Sequence, residues 1–188
     1  MRVVECVPNI SEGRDRAVID AVAGVIHQVE GCELLDVDPG AATNRTVITF
    51  VGTPETVVEG AFQLVKKAQE LIDMRQHSGE HPRFGATDVC PFVPVSGVAM
   101  DDCIELAHQL GQRLGEELGI SGYFYENAAR TAERQNLSVV RSGEYEAVEK
   151  KLSDTKWKPD FGPGTFDPKF GVVAVGARKA SMPPIADP

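Results

Sequence analysis

His77, Glu80 and His81 stand in the run HSGEHPRFGATD, residues 77–88, in the order H-x-x-E-H. Two chemistries use these residue types. On a continuous helix, two histidines four apart face one zinc ion, with the glutamate beside its water. On a loop, a single imidazole acts as general base or acid, because it titrates near neutral pH. Gly79 lies inside the motif and Pro82 follows His81, and a residue before proline is pushed out of the helical region. No third ligand is marked nearby. The spacing therefore favours the loop, with Arg83 able to orient a carboxylate through paired N–H donors. The plain alternative is a polar surface loop, and composition alone leaves both open.

A second polar cluster is DVDPGAATNRT, residues 36–46, with Asp36, Asp38, Asn44 and Arg45 around a glycine-containing turn. These residues stabilise turns for local reasons. Asp38 or Arg45 could equally serve a ligand, and the cluster itself does not decide. His27 and His108 fall within helical patterns and read as satisfied or solvated.

Both clusters must be held by neighbouring elements. RVVECV (2–7) is β-branched and reads as a strand. Residues 15–29 form a helix with Val18, Ala21, Val22, Val25 and Val29 on one face, ended by Gly31. CELLDVD (32–38) is a strand, PGAATN (39–44) a loop and RTVITFV (45–51) a strand. Thr53-Pro54-Glu55 reads as a helix start. Its apolar stripe is Val57, Ala61, Leu64, Val65, Ala68, Leu71 and Ile72, and the helix ends near Met74. TDVCPFVPV (87–95) is a strand whose prolines predict an edge or end position. Asp102 and Glu105 resemble a capping box before a helix that buries Ile104, Ala107, Leu110, Leu114 and Leu118 and stops at Gly119. GYFYE (122–126) is a strand, 142–152 a helix and GVVAVGA (171–177) a strand. Residues 153–170 form a long Pro-, Gly- and aromatic-rich loop, a kind that usually carries function. The tail from residue 180 has no packing pattern and is expected to fray.

The first 95 residues thus read β-α-β-β-α-β. That is an α+β, ferredoxin-like split βαβ sandwich, with extra helices and a strand at the C-terminal end.

The composition narrows the field. The chain has 188 residues and a net charge of −9. An acidic surface repels phosphate backbones, which argues against nucleic acid. No run approaches the ~18 apolar residues of a membrane span. The N-terminus is too short and polar for a signal peptide, so a cytoplasmic location is the default. Cys6, Cys32, Cys90 and Cys103 lack any C-x-x-C spacing and read as reduced, mostly buried thiols.

Four stretches carry a resemblance: VECVPNISEGRD, LLDVDPGAATNRTVITFVG, ELIDMRQHSGEHPRFGATDVCPFVPV and QRLGEELGISGYFYENAART. Together they resemble the N-terminal half of glutamate formimidoyltransferase, from about residue 2 to GARK at 176–179. The resemblance implies transfer of a formimidoyl group from N-formimino-L-glutamate to N5 of tetrahydrofolate, in histidine breakdown and one-carbon metabolism. It implies that His81 is the catalytic histidine of the EHPR motif. It also implies a folate-binding loop made of Gly162, Pro163, Gly164, Thr165, Phe166, Asp167, Pro168, Lys169, Phe170 and Gly171. The family's fold is a pair of similar ferredoxin-like halves with folate between them.

Residue type adds three expectations. Asp38 pairs with the amidine or the pterin, and Arg45 or Arg83 with a substrate carboxylate. Phe161, Phe166 and Phe170 either stack on a flat ring or pack the loop onto the sheet. No metal is called for, because an amidinium is already electrophilic. After GARK the family continues into a second half, where this chain reads ASMPPIADP. Residues 1–179 are therefore expected to form the N-terminal subdomain. A second subdomain or a homodimer would cover its partner-facing surface. The competing expectation is a non-catalytic half that binds folate or pairs with another chain.

Overall fold

The computed structural model describes residues 1–181, and its sheet is organised around a strand that proline splits in two. Strands β1 (Val3–Cys6) and β2 (Asn9–Ile10) pair antiparallel with the same two neighbours, β4 (Arg45–Gly52) and β5 (Thr87–Ser96). Pro8 interrupts the ladder because it has no N–H. The break stays tied down, since Val7 N–H donates to Pro91 O at 3.1 Å and Ile48 N–H to Pro8 O at 2.9 Å.

β3 (Cys32–Gly40) pairs antiparallel with β4 at one edge. It runs two residues past the expected Asp38, which leaves a connection of only residues 41–44. Its ladder is offset between Leu34 and Asp36, so Leu35 bulges out and is exposed. β7 (Val173–Ala177) pairs parallel with β5 and with β6 (Gly122–Glu126), which forms the other edge. Among the described residues the sheet is mixed and seven-stranded, in the order β3-β4-(β1/β2)-β5-β7-β6.

Five α-helices are found among the described residues. α1 (Arg16–Gly24) is capped by Asp15, which accepts from the N–H groups of Ala17 and Val18. It tightens into a 3₁₀ turn at Val25–Gln28 instead of running to Val29, and Gly31 then takes φ +88°. The tightening rotates the buried stripe to Ile19, Val22, Ala23, Val25 and Ile26, leaving Ala21 exposed. α2 (Val57–Leu71) begins after Thr53, Pro54 and Glu55, which are spent on a turn that Val57 N–H closes onto Thr53 O. α3 (Met100–Leu118) starts before the expected Asp102. That carboxylate sits in the first turn and accepts from Ala99 N–H at 2.9 Å. Gly119 ends α3 in the left-handed conformation, φ +66°. α4 (Leu137–Val140) and α5 (Val148–Ser153) are short. No helix among the described residues is long and apolar enough to cross a membrane.

The proline-bearing strand β5 is central, not at an edge. Pro91 lies opposite the Val7–Pro8 break, where its carbonyl is used and no N–H is asked for. Pro94 lies beyond Phe92, the last β5 residue in register with β7, at Ala177. The strand keeps its prolines by placing them where the ladder has gaps.

Alternation along the strands builds two cores. Phe124, Val173 and Val175 join Ile48, Phe50, Leu64 and Leu110 on the side of α1, α2 and α3. Tyr123, Tyr125 and Ala174 point the other way and pack with Phe84, Val140 and Val148 under α4 and α5. Cys6, Cys90 and Cys103 are buried free thiols and Cys32 is half-buried. The second cover stops short of β3 and β4. There Thr46, Ile48 and Phe50 are buried, but Arg45, Val47 and Thr49 are half-open on the uncovered face. The expected tail falls almost wholly at 182–188, outside the described residues.

Candidate active site

α2 gives out at Leu71, and Asp73 caps a 3₁₀ turn at Met74–Gln76 by accepting from Arg75 N–H. From His77 to Gly85 the chain has no helix. Gly79 is required there, since a Cβ would meet Thr43 O at 2.3 Å.

His81 is half-buried at the crossing of this loop with β2 and β4. Its Nδ1 lies 2.7 Å from Pro82 O. A carbonyl only accepts, so Nδ1 carries the ring proton and Nε2 the lone pair. The Arg45 guanidinium donates to that Nε2. Arg45 also donates through Nε to Asn9 Oδ1 at 2.6 Å, with Nη2 turned to the same oxygen. Burial lowers the Arg45 pKa, against the opposing pull of Asp88.

Asp88 itself is buried. It accepts from Phe84 N–H at 2.9 Å and from Arg141. Burial pushes its carboxyl up despite Arg141, the Phe84 N–H and Arg45.

His77 has both ring nitrogens engaged. Nε2–H donates to Asn44 O at 2.8 Å and Nδ1 accepts from Arg83 Nε at 3.1 Å. Burial lowers its pKa, the Asn44 carbonyl opposes this, and Arg83 lowers it further. Asn44 is a structural tie at φ +51°. It accepts from Gly13 N–H and donates to Ser78 O, both at 2.9 Å. The H-x-x-E-H order is thus presented on a loop, and the helical arrangement of an inverted zinc peptidase does not form.

Arg83 differs from its expected role as a carboxylate clamp for substrate. Its two Nη atoms grip Glu146 at 3.0 and 2.9 Å, with Glu144 at 3.7 Å. The fork is filled from within the chain. Arg45 has no such partner: among the described residues it forms no ion pair. It lines a shallow cleft of about 220 Å³ with Asp38, Pro39, Gly40, Thr43 and Val47. Asp38 stands opposite Val47 in register and Gly40 opposite Arg45, so Asp38 shares the uncovered sheet face with the guanidinium. Asp36 is exposed farther up the strand.

The loop 162–171 is stitched to this region along its second half. Gly85 and Gly171 form a β-bridge. Val172 N–H donates to Phe84 O at 3.0 Å, and Ala86 N–H to Phe170 O at 2.8 Å. Tyr145 bridges the two loops. Its N–H donates to Arg83 O at 2.8 Å, and its hydroxyl to Pro168 O at 2.6 Å. Lys169 caps the end of α2, donating to the carbonyls of Gln69 and Glu70. The first half is freer. Pro163, Thr165 and Asp167 are exposed, Gly164 N–H donates to Ser121 Oγ at 2.9 Å, and Gly162 and Gly164 have positive φ. Phe161 packs on Phe124 at 5.1 Å and Phe170 is buried. Those two rings hold the loop to the sheet and are not open for stacking. Phe166 is half-exposed beside Tyr145.

Size does not pick out this site. A larger cleft of about 400 Å³ runs along α3 past His108, Arg130 and Gly162. Its histidine is bonded to Ala128 O and its arginine to Asp160 O. His27 is exposed.

Sequence reasoning missed Asn9, Asp88, Arg141, Tyr145 and Glu146. Asp88 was within sight, at the end of the HSGEHPRFGATD run. The others carry no local signal, because their partners are remote in the chain.

The chain as a whole matches a known protein family. The formiminotransferase domain, N-terminal subdomain, matches residues 3–178, and the chain belongs to that family. The formimidoyltransferase-cyclodeaminase of Sus scrofa is 58% identical over 178 residues, 95% of this chain and 33% of its own length. That of Dictyostelium discoideum is 53% identical over 177 residues, 94% of this chain and 33% of its own. The glutamate formimidoyltransferase of Streptococcus pyogenes serotype M1 is 48% identical over 185 residues, 98% of this chain and 61% of its own. The chain thus spans a third of the two-activity relatives and under two thirds of the Streptococcus one.

Proposed function

We propose that this chain carries the site for formimidoyl transfer from N-formimino-L-glutamate to N5 of tetrahydrofolate, with His81 as general base and acid. The observation that carries the reading is the tautomer of His81. Its Nδ1 proton is fixed on Pro82 O, so Nε2 is the nitrogen that takes up a proton. In this reading N5 attacks the amidine carbon, forming an N5–C bond. The N5 proton passes to Nε2 and then to the departing glutamate nitrogen as its C–N bond breaks.

Asp38, on the uncovered face, is suited to the cationic amidine. Arg45, without an internal carboxylate, is suited to a substrate carboxylate. The exposed stretch from Pro163 to Asp167, with half-exposed Phe166, is suited to the pterin. The positive-φ glycines let backbone N–H groups approach it closely.

The strand order β3-β4-(β1/β2)-β5, antiparallel throughout, supports a ferredoxin-like reading of the first half. We read residues 1–179 as one subdomain whose uncovered sheet face takes a second subdomain or a second copy. The reading keeps the cytoplasmic, histidine-degrading setting. The family name and the relatives' names support the formimidoyl transfer itself.

The test is formimidoyl transfer by the purified chain, given both substrates, beside His81→Ala. Turnover lost in the variant is the expected result. Turnover equal in both proteins refutes the role of His81. Tetrahydrofolate binding with no turnover in either would favour the second reading, a half that binds folate without catalysis.

A further inference from the structure

The base just described needs a free lone pair, and as folded it has none. Nδ1–H is spent on Pro82 O, and Nε2 accepts from Arg45. A guanidinium can only donate. While it stays, the N5 proton has no acceptor on the ring.

Arg45 is nevertheless loosely anchored in charge. Its partners are the Asn9 amide oxygen and a neutral imidazole. The nearest buried carboxylate, Asp88, is already taken by Arg141 and the Phe84 N–H. Among the described residues Arg45 is in no ion pair, and it borders the cleft that also holds Asp38. It is a half-buried cation facing a cleft, held by two neutral acceptors. A carboxylate arriving in that cleft would offer a charge-assisted, two-pronged bond about twice as strong as a neutral one.

We infer that Arg45 is a positioning residue that caps the His81 Nε2 lone pair, and that a carboxylate of the incoming substrate lifts the cap. The inference rests on the reading of His81 as the base, and it adds a condition to it. The base is exposed only when an anionic substrate is seated, so protonation of the ring is coupled to occupancy. Asn9 sets the resting position of the cap.

Diethyl pyrocarbonate tests this without turnover, since it acylates an unprotonated, accessible imidazole nitrogen. The rate at His81 is read by peptide mass spectrometry, with exposed His27 as the reference in every sample. The wild-type chain is expected to react at His81 at least ~5-fold more slowly than Arg45→Ala. Glutarate, a dicarboxylate with no formimidoyl group to cover the ring, is expected to raise the wild-type rate and leave Arg45→Ala unchanged. Should that variant fail to fold, Asn9→Ala frees the guanidinium and is expected to react faster than wild type. Equal His81 rates in wild type and variant overturn the cap, as does a wild-type rate that ignores glutarate. If the cap responds as described but His81→Ala leaves formimidoyl transfer intact, the cap stands and the assignment of the base falls.

Discussion

Gly85→Ala tests whether the two loops must touch. A Cβ on Gly85 would stand 1.8 Å from Val172 O. A carbon tolerates a carbonyl oxygen at about 3.3 Å, so the loops must part by about 1.5 Å. The opposing Gly171 cannot yield, because it sits at φ +79° with its own missing Cβ 2.2 Å from Phe84 O. A shift of that size breaks the Val172–Phe84 and Ala86–Phe170 hydrogen bonds, now 3.0 and 2.8 Å long. Leaving these buried groups unpaired costs roughly 2–4 kcal/mol. The same shift carries the loop 162–171 away from His81, and a misplacement near 1 Å can cost about 10²-fold in rate. Guanidinium unfolding reads the first number and initial rates of formimidoyl transfer the second. Gly24→Ala is the control: nothing lies within 4 Å of its Cβ, and alanine there is expected to stabilise by about 0.5–1 kcal/mol. A Gly85→Ala protein within about 0.5 kcal/mol of wild type, turning over at the wild-type rate, would refute the reasoning.

Three further outcomes are expected. Tyr145→Phe removes the bond to Pro168 O; on the folate reading proposed above, it should raise the KM for tetrahydrofolate up to about tenfold, from ~0.5–1.5 kcal/mol, with kcat held. Asp88→Ala leaves the half-buried Arg141 without its carboxylate and Phe84 N–H without its acceptor. It should cost roughly 3–5 kcal/mol in urea unfolding, most of it recovered when both members of the pair become apolar. His77 has a lowered folded pKa, so the unfolded chain binds its proton first as pH falls below about 6.5. Its contribution to stability is full above that pH and is lost toward the lowered folded value. The stability difference between wild type and His77→Gln should therefore shrink between pH 7 and 5, as followed by denaturant midpoints.

The loop bearing His81 was legible because Pro82 pushes His81 out of the helical region by local sterics and Gly79 weakens a helix through its backbone freedom. β6 and the glycine stop of α3 were legible for the same kind of reason. The place of β5 was not, since its prolines were judged without knowing that a facing strand is itself broken at Pro8. Arg83 was given a substrate because its type fits a carboxylate. The chain supplies Glu146 instead, and no local pattern announces that pairing. Phe161 and Phe170 turned inward because the loop needs anchors, while Phe166 between them stayed half-open. Asn9 and Tyr145 act through contacts with distant segments, so their roles exist only once the sheet is assembled.

β7 comes last among the strands, yet it lies between β5 and β6. Contact between the His81 loop and the loop 162–171 therefore waits for a strand to slot between two others already made. The intervening chain runs through α3, β6 and the whole stretch from residue 127 to 172. Pairing between such distant segments is expected to be a slow, late step in folding. A newly made molecule is expected to have its histidine before it has a site. A small molecule that touches both loops recognises only the closed sheet, and by mass action holds it closed. The substrates would then act as selectors of chains that have finished folding.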